Sequence, residues 1–184
     1  MANQFGAFLT QTQALAPFFK NDVEVLNYAL TLEHLEAAFY TMAVSSGKLQ
    51  GNALAYMTTI RDHEVAHVQA ISQGLSQGGA TPVKPRKSYD FSKLGDMSTQ
   101  DGILKIAAIL EATGVGAYNG AAREITDKTI LGVAGSIVAI EARHTAIINA
   151  LINPTANPVP KSFEAVTKPQ DVLNAVGPLL GPEQ

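Results

Sequence analysis

Four long stretches of this sequence repeat apolar residues at spacings of three and four, and each carries a carboxylate inside that apolar stripe. In the first the stripe reads Leu26, Leu30, Glu33, Ala37, Tyr40, and in the second Met57, Ile60, Glu64, His67, Ile71. The third reads Leu104, Ala108, Glu111, Val115, Tyr118, and the fourth Ala134, Ile137, Glu141, His144, Ile148, Leu151. Such spacing marks one face of a helix turned towards a core. Six ionisable residues therefore stand where periodicity puts the interior. Burying a carboxylate without a partner costs several kcal/mol, so something must compensate them.

Proline and glycine divide the stretches. The first helix is expected from Asn21 or Asp22, a plausible N-cap, to about residue 46, and the second over about 53–75. The third is expected over about 99–125, and the fourth over about 127–153, stopped by Pro154. "SGKLQGN" joins the first pair by a short turn, and the second pair meets tightly near Asp127. Between the pairs runs "SQGGATPVKPRKSYDFSKLGDMSTQ", with Gly78, Gly79, Pro82 and Pro85. A structureless connection of that length needs a job in a compact domain. At about 3.3 Å per residue it can travel the length of a bundle. The expected fold is all-α: a four-helix bundle over 21–153, made of two antiparallel hairpins with one long crossover. Residues 1–20 form an N-terminal segment closed near Pro17, read as a short helix. Residues 154–184 form a tail holding six of the nine prolines, with a short helix near 171–176.

The two hairpins repeat each other's chemistry. Glu33 precedes Tyr40 by seven residues, as Glu111 precedes Tyr118, and Glu64-x-x-His67 returns as Glu141-x-x-His144. The single Glu precedes its Glu-x-x-His by 31 residues in one half and by 30 in the other. Positions i and i+3 share a helix face, so each Glu-x-x-His aims a carboxylate and an imidazole at one point. Four carboxylates and two neutral imidazoles balance the charge of two divalent cations. This is the ligand pattern of di-iron and di-manganese carboxylate bundles. With no cysteine in the chain, thiolate ligands and disulfides are excluded. The remaining His, Asp and Glu suit Fe, Mn or Zn.

His63-Glu64-Val65-Ala66-His67 also matches HExxH, in which two histidines hold zinc and the Glu is the base of a metalloprotease. That reading leaves Glu33, Glu111, Glu141 and His144 without a common purpose, and it puts His63 one residue off the apolar stripe. The zinc hydrolase is the third choice. His63 and His34 are read as surface residues or as outer partners of the ligands. Glu36 is open to three readings: a seventh ligand, a partner to a ligand histidine, or a solvated side chain, the last preferred. Tyr40 and Tyr118 are the candidate catalytic residues, as hydrogen-bond donors to ligand carboxylates or as groups oxidised during turnover. Arg143 is expected to point away and pair with an acid. Gly114, Gly116 and Gly120 each cost a helix about 1 kcal/mol against Ala, which points to close helix approach or a local bulge.

The stretches "NYALTLEHLEAAFY", "RDHEVAHVQAI", "ILEATGVGAYNGAA" and "IVAIEARHTAIINAL" resemble the ferritin-like superfamily, in particular the ferritin-like domain family that includes desiccation-related proteins. The resemblance covers about residues 20–152. It implies metal ligands at Glu33, Glu64, His67, Glu111, Glu141 and His144. It also implies a two-metal centre, Fe first and Mn second, that reacts with dioxygen or hydrogen peroxide as a ferroxidase, peroxidase or catalase. The alternative is a metal-binding stress protein without turnover.

A net charge of −3 with no basic patch argues against nucleic acid as a partner. The leading residues lack a basic region and are interrupted by Gln4, Gln11, Thr12 and Gln13, unlike a secretory leader. No uninterrupted apolar run reaches the length of a membrane span. The expectation is a cytoplasmic monomer or homodimer.

Overall fold

The computed structural model describes residues 17–184, so the expected helix before Pro17 lies outside the described residues. Among these, five α-helices form: α1 Asp22–Ser45, α2 Gly51–Gln77, α3 Gln100–Ala122, α4 Lys128–Ile152 and α5 Pro169–Val176. Each long helix except α2 begins on a side-chain cap. Asn21 accepts from the Glu24 amide, Thr99 from that of Gly102, and Asp127 from those of Thr129 and Ile130. These bonds satisfy donors that a helix start otherwise leaves open, each contributing about 1 kcal/mol.

α1 packs mainly on α2 and α3 mainly on α4, while α1 against α3 and α2 against α4 close the bundle. The core runs between them through Leu30, Phe39, Met57, Ile60, Ile103 and Ile148, all at most 1% exposed. Burial of each such side chain contributes roughly 1.5–3 kcal/mol. α3 stops at Ala122, three residues short of the sequence expectation. The cause is Asp22: its carboxylate accepts from the amides of Thr126 and Asp127, both at 2.8 Å, and draws the turn onto the start of α1. The Thr126 amide accordingly holds the Asp22 carboxyl below its usual range.

The crossover is tied down from both sides. Asn27 receives the Val83 amide at 2.7 Å, and the His34 ring lies 3.2 Å from the Val83 carbonyl. Phe91, in a 3₁₀ turn, is buried edge-on against Phe39. The tail then docks on the crossover. The Lys87 and Asp90 amides donate to the tail's Pro182 and Leu179 carbonyls, the tail's Gly181 amide donates to the Ser88 carbonyl, and Tyr89 and Leu180 form an isolated bridge.

Gly116 and Gly120 of α3 make room for this tail. The Thr167 amide donates to the Gly116 carbonyl at 2.9 Å. A Cβ on Gly120 would lie 1.7 Å from the Thr167 carbonyl oxygen, and one on Gly116 would lie 2.5 Å from its Oγ1. At Gly116 and Gly120 the close neighbour is therefore a stretch of tail, at Gly114 it is Glu36 of α1, and α3 runs without a bulge. Gly120→Ala is expected to unseat the tail and cost roughly 1–3 kcal/mol, as overpacking does. Thermal denaturation checks this, and an unchanged melting temperature contradicts it.

α4 is long and apolar enough to cross a membrane by length and composition. Glu141, Arg143 and His144 nonetheless interrupt its apolar run. Arg143 is exposed, as expected, but makes no ion pair among the described residues.

Candidate metal centre

Six residues from four helices converge: Glu33 from α1, Glu64 and His67 from α2, Glu111 from α3, Glu141 and His144 from α4. The four carboxylates are 0% exposed and His144 is 2% exposed. Only His67 keeps an edge towards solvent, with its side chain 11% exposed. Their ligand atoms fall into two groups, each lying within 4.8 Å of one another: Glu33, Glu64, His67 and Glu141; and Glu64, Glu111, Glu141 and His144. Glu64 and Glu141 belong to both. The two shared carboxylates join the groups, with Glu33 and His67 at one end and Glu111 and His144 at the other.

The spacing fits metal ions. His67 Nδ1 lies 3.2, 3.2 and 3.1 Å from oxygens of Glu33, Glu64 and Glu141. His144 Nδ1 lies 3.1, 3.4 and 3.7 Å from oxygens of Glu64, Glu111 and Glu141. Ligands about 2.0–2.2 Å from a common ion and at right angles are separated by about 3 Å. The buried atoms left without a hydrogen bond include Glu64 Oε1, Glu111 Oε2, both oxygens of Glu141 and His144 Nδ1. Native interiors leave few such orphans, and ions satisfy them.

Without metal, protons take up the charge. Burial depresses the imidazoles, but the facing carboxylates outweigh it, raising His67 to about 12 and His144 to about 11. Burial lifts Glu33 to about 8, and Glu111 well above its usual range. Burial also acts on Glu141, yet the facing His144 and His67 rings prevail and bring it to about 2. These shifts favour protonated imidazoles beside a mixture of neutral and ionised carboxyls when no metal is bound.

Both tyrosines reach the centre crosswise. The Tyr40 hydroxyl donates to Glu111 Oε1, and that of Tyr118 donates to Glu33 Oε1 at 2.5 Å. Each half thus steadies the single carboxylate of the other half. Burial keeps both phenols protonated, with pKa values well above the usual range. Tyr118 also borders an apolar cavity of about 30 Å³, walled by Val25, Ala29, Ile71 and Ile137.

His63 lies outside both ligand groups, while Glu64, which a zinc protease would need as a free base, lies inside both. Instead His63 Nδ1 sits 2.9 Å from His144 Nε2, with the rings stacked. Since His144 turns Nδ1 to the carboxylates, its Nε2–H donates to His63. Burial, then the nearby histidine charges, lowers the His63 pKa and keeps it a neutral acceptor. Such outer partners orient a ligand imidazole. His63→Ala is expected to weaken metal binding roughly 10–100-fold, read by competition against a chelator. An unchanged affinity contradicts it.

Glu36 corrects the sequence reading. It is 3% exposed rather than solvated, and its Oε1 has no partner. Burial, reinforced by the four neighbouring carboxylates, raises its pKa well above the usual range. It belongs to neither ligand group.

Helices presenting two Glu-x-x-His pairs and two single Glu residues to one buried point define a four-helix bundle whose interior is suited to holding metal. The ferritin-like domain profile matches residues 21–154, most of the chain. The protein belongs to the ferritin-like domain family. No curated protein matches the chain significantly.

Proposed function

We propose that the protein is a two-metal, di-iron carboxylate protein that reacts with dioxygen or hydrogen peroxide, manganese being the alternative metal. One observation carries this reading: Glu64 and Glu141 are shared between two buried ligand groups. A single-ion site has no use for that sharing. When bound, two one-electron redox ions would supply the two electrons that convert hydrogen peroxide to water, or dioxygen to hydrogen peroxide.

The chain's own residues set the conditions for this chemistry. Glu64 and Glu141 hold the two ends in register, while Glu33 with His67 and Glu111 with His144 complete them. Tyr118 and Tyr40 hold the single carboxylates in place and keep a proton beside each. The apolar cavity at Tyr118 has room for a diatomic molecule and little to offer water, which supports dioxygen as one oxidant. Removal of oxidants during oxidative or desiccation stress is the physiological form of the proposal.

The test loads the metal-free chain with Fe(II) under anaerobic conditions, then adds dioxygen or peroxide. Iron absorbance and oxidant consumption are followed together in the presence of a reductant. Repeated turnover is expected. Metal binding without turnover instead supports a passive metal-binding protein, and a single tightly bound zinc ion contradicts both.

A further inference from the structure

The internal repeat is broken at one position. Three residues after Glu33 stands Glu36, and three residues after Glu111 stands Gly114. These equivalent positions meet across the bundle. Glu36 Oε1 and Oε2 lie 3.1 and 3.4 Å from where a Cβ on Gly114 would be. One half supplies a carboxylate and the other supplies its room.

Beside Glu36 is a small cleft between α1 and α3, of about 10 Å³, room for about one water or ion. Leu32, Leu35, Leu110 and Thr113 line it, and Val176 from α5 borders it. Thr113 is only half-buried, so this wall leads to the surface. On its inner side Glu36 is close enough to Glu33, Glu64, Glu111 and Glu141 for all four to act on its charge. An unpartnered, nearly fully buried carboxylate is costly, and nothing in the packing of the core requires one. The same side chain therefore borders the cleft and the centre.

We propose that Glu36 is a transfer site for divalent transition-metal ions, which enter by the cleft over Gly114, are held by the Glu36 carboxylate, and pass to the four carboxylates of the dinuclear centre. The inference rests on the proposed centre but adds a separate function: Glu36 governs how fast the centre fills, and leaves what it finally holds unchanged. Burial keeps Glu36 protonated until a cation arrives, and the carboxylate formed as the proton leaves gives the ion an anionic ligand part-way along the cleft, which accelerates capture. Gly114 keeps the passage open because any side chain there presses on the Glu36 oxygens.

The experiment adds Co(II) to the metal-free, full-length chain and follows its visible absorption in a stopped-flow instrument, with final content measured by elemental analysis. This readout needs no turnover. Glu36→Gln preserves shape and removes the capacity to ionise and hold a cation. It is expected to reach the same final Co(II) content and spectrum as the unaltered chain, at a loading rate at least about tenfold lower. Gly114→Ala is expected to slow loading as well, again without changing the final content. Equal loading rates for Glu36→Gln and the unaltered chain overturn the proposal. A lower final content in Glu36→Gln also overturns it, because Glu36 is then a permanent ligand. If the unaltered chain takes up no Co(II), the dinuclear reading itself falls.

Discussion

Glu141→Ala is expected to lose both metal ions, whereas Glu33→Ala and Glu111→Ala each keep one. The difference follows from sharing: Glu141 belongs to both ligand groups, while Glu33 and Glu111 each belong to one. Removing Glu141 also deprives His67 and His144 of a common carboxylate. Ligand linkage sets the scale of the effect. An ion present at about 100 times its dissociation constant stabilises the fold by about 2.7 kcal/mol, and Glu141→Ala forfeits this for each ion. Elemental analysis gives the stoichiometry, and melting with and without metal gives the stability. Full metal content in Glu141→Ala would show that the ligand groups are wrongly drawn.

The second large effect is a pair of opposite pH dependences. In the metal-free protein, burial raises Glu33 from 4.5 to about 8. Between those values the folded state holds a proton that the unfolded state has released, so stability falls as pH rises. His67 and His144 are raised from 6.5 to about 12 and about 11 by the carboxylates that outweigh their burial. Their contribution is fully present below about 6.5 and is lost as pH climbs through the folded values. Both trends weaken the metal-free fold with rising pH. Metal binding runs the other way, because ligand imidazoles must be neutral and ligand carboxyls ionised. From about pH 6 to about pH 8 the metal-free melting temperature should fall while the rise on adding metal grows. Thermal scans in matched buffers test it. A metal-induced rise that shrinks with pH contradicts the proton-filled centre.

How much the sequence reveals depends on where each cause lies. The convergence of the six residues is legible because periodicity is a local signal, and Glu33, Glu64, Glu111 and Glu141 sit on the apolar stripes themselves. The single crossover is legible from connection lengths. Glu36 is not, since its burial depends on room made by Gly114 on another helix. A signal did exist, because superposing the two halves of the repeat sets Glu36 against Gly114. The crosswise tyrosines escape for a related reason. Sevenfold spacing ties each Tyr to the Glu of its own helix, whereas the hydroxyl reaches the Glu of the other half. The docking of the tail on the crossover is carried by backbone hydrogen bonds, such as Lys87 N–H to the Pro182 carbonyl, and backbone pairing leaves little trace in side chains.

The most direct test of the central claim is a crystal structure of the metal-loaded protein with anomalous scattering collected at the metal edge. Two peaks are expected about 3.5–4 Å apart, bridged by Glu64 and Glu141, with Glu33 and His67 on one ion and Glu111 and His144 on the other. A single peak held by His63 and His67, or carboxylates turned away from any ion, would contradict the account.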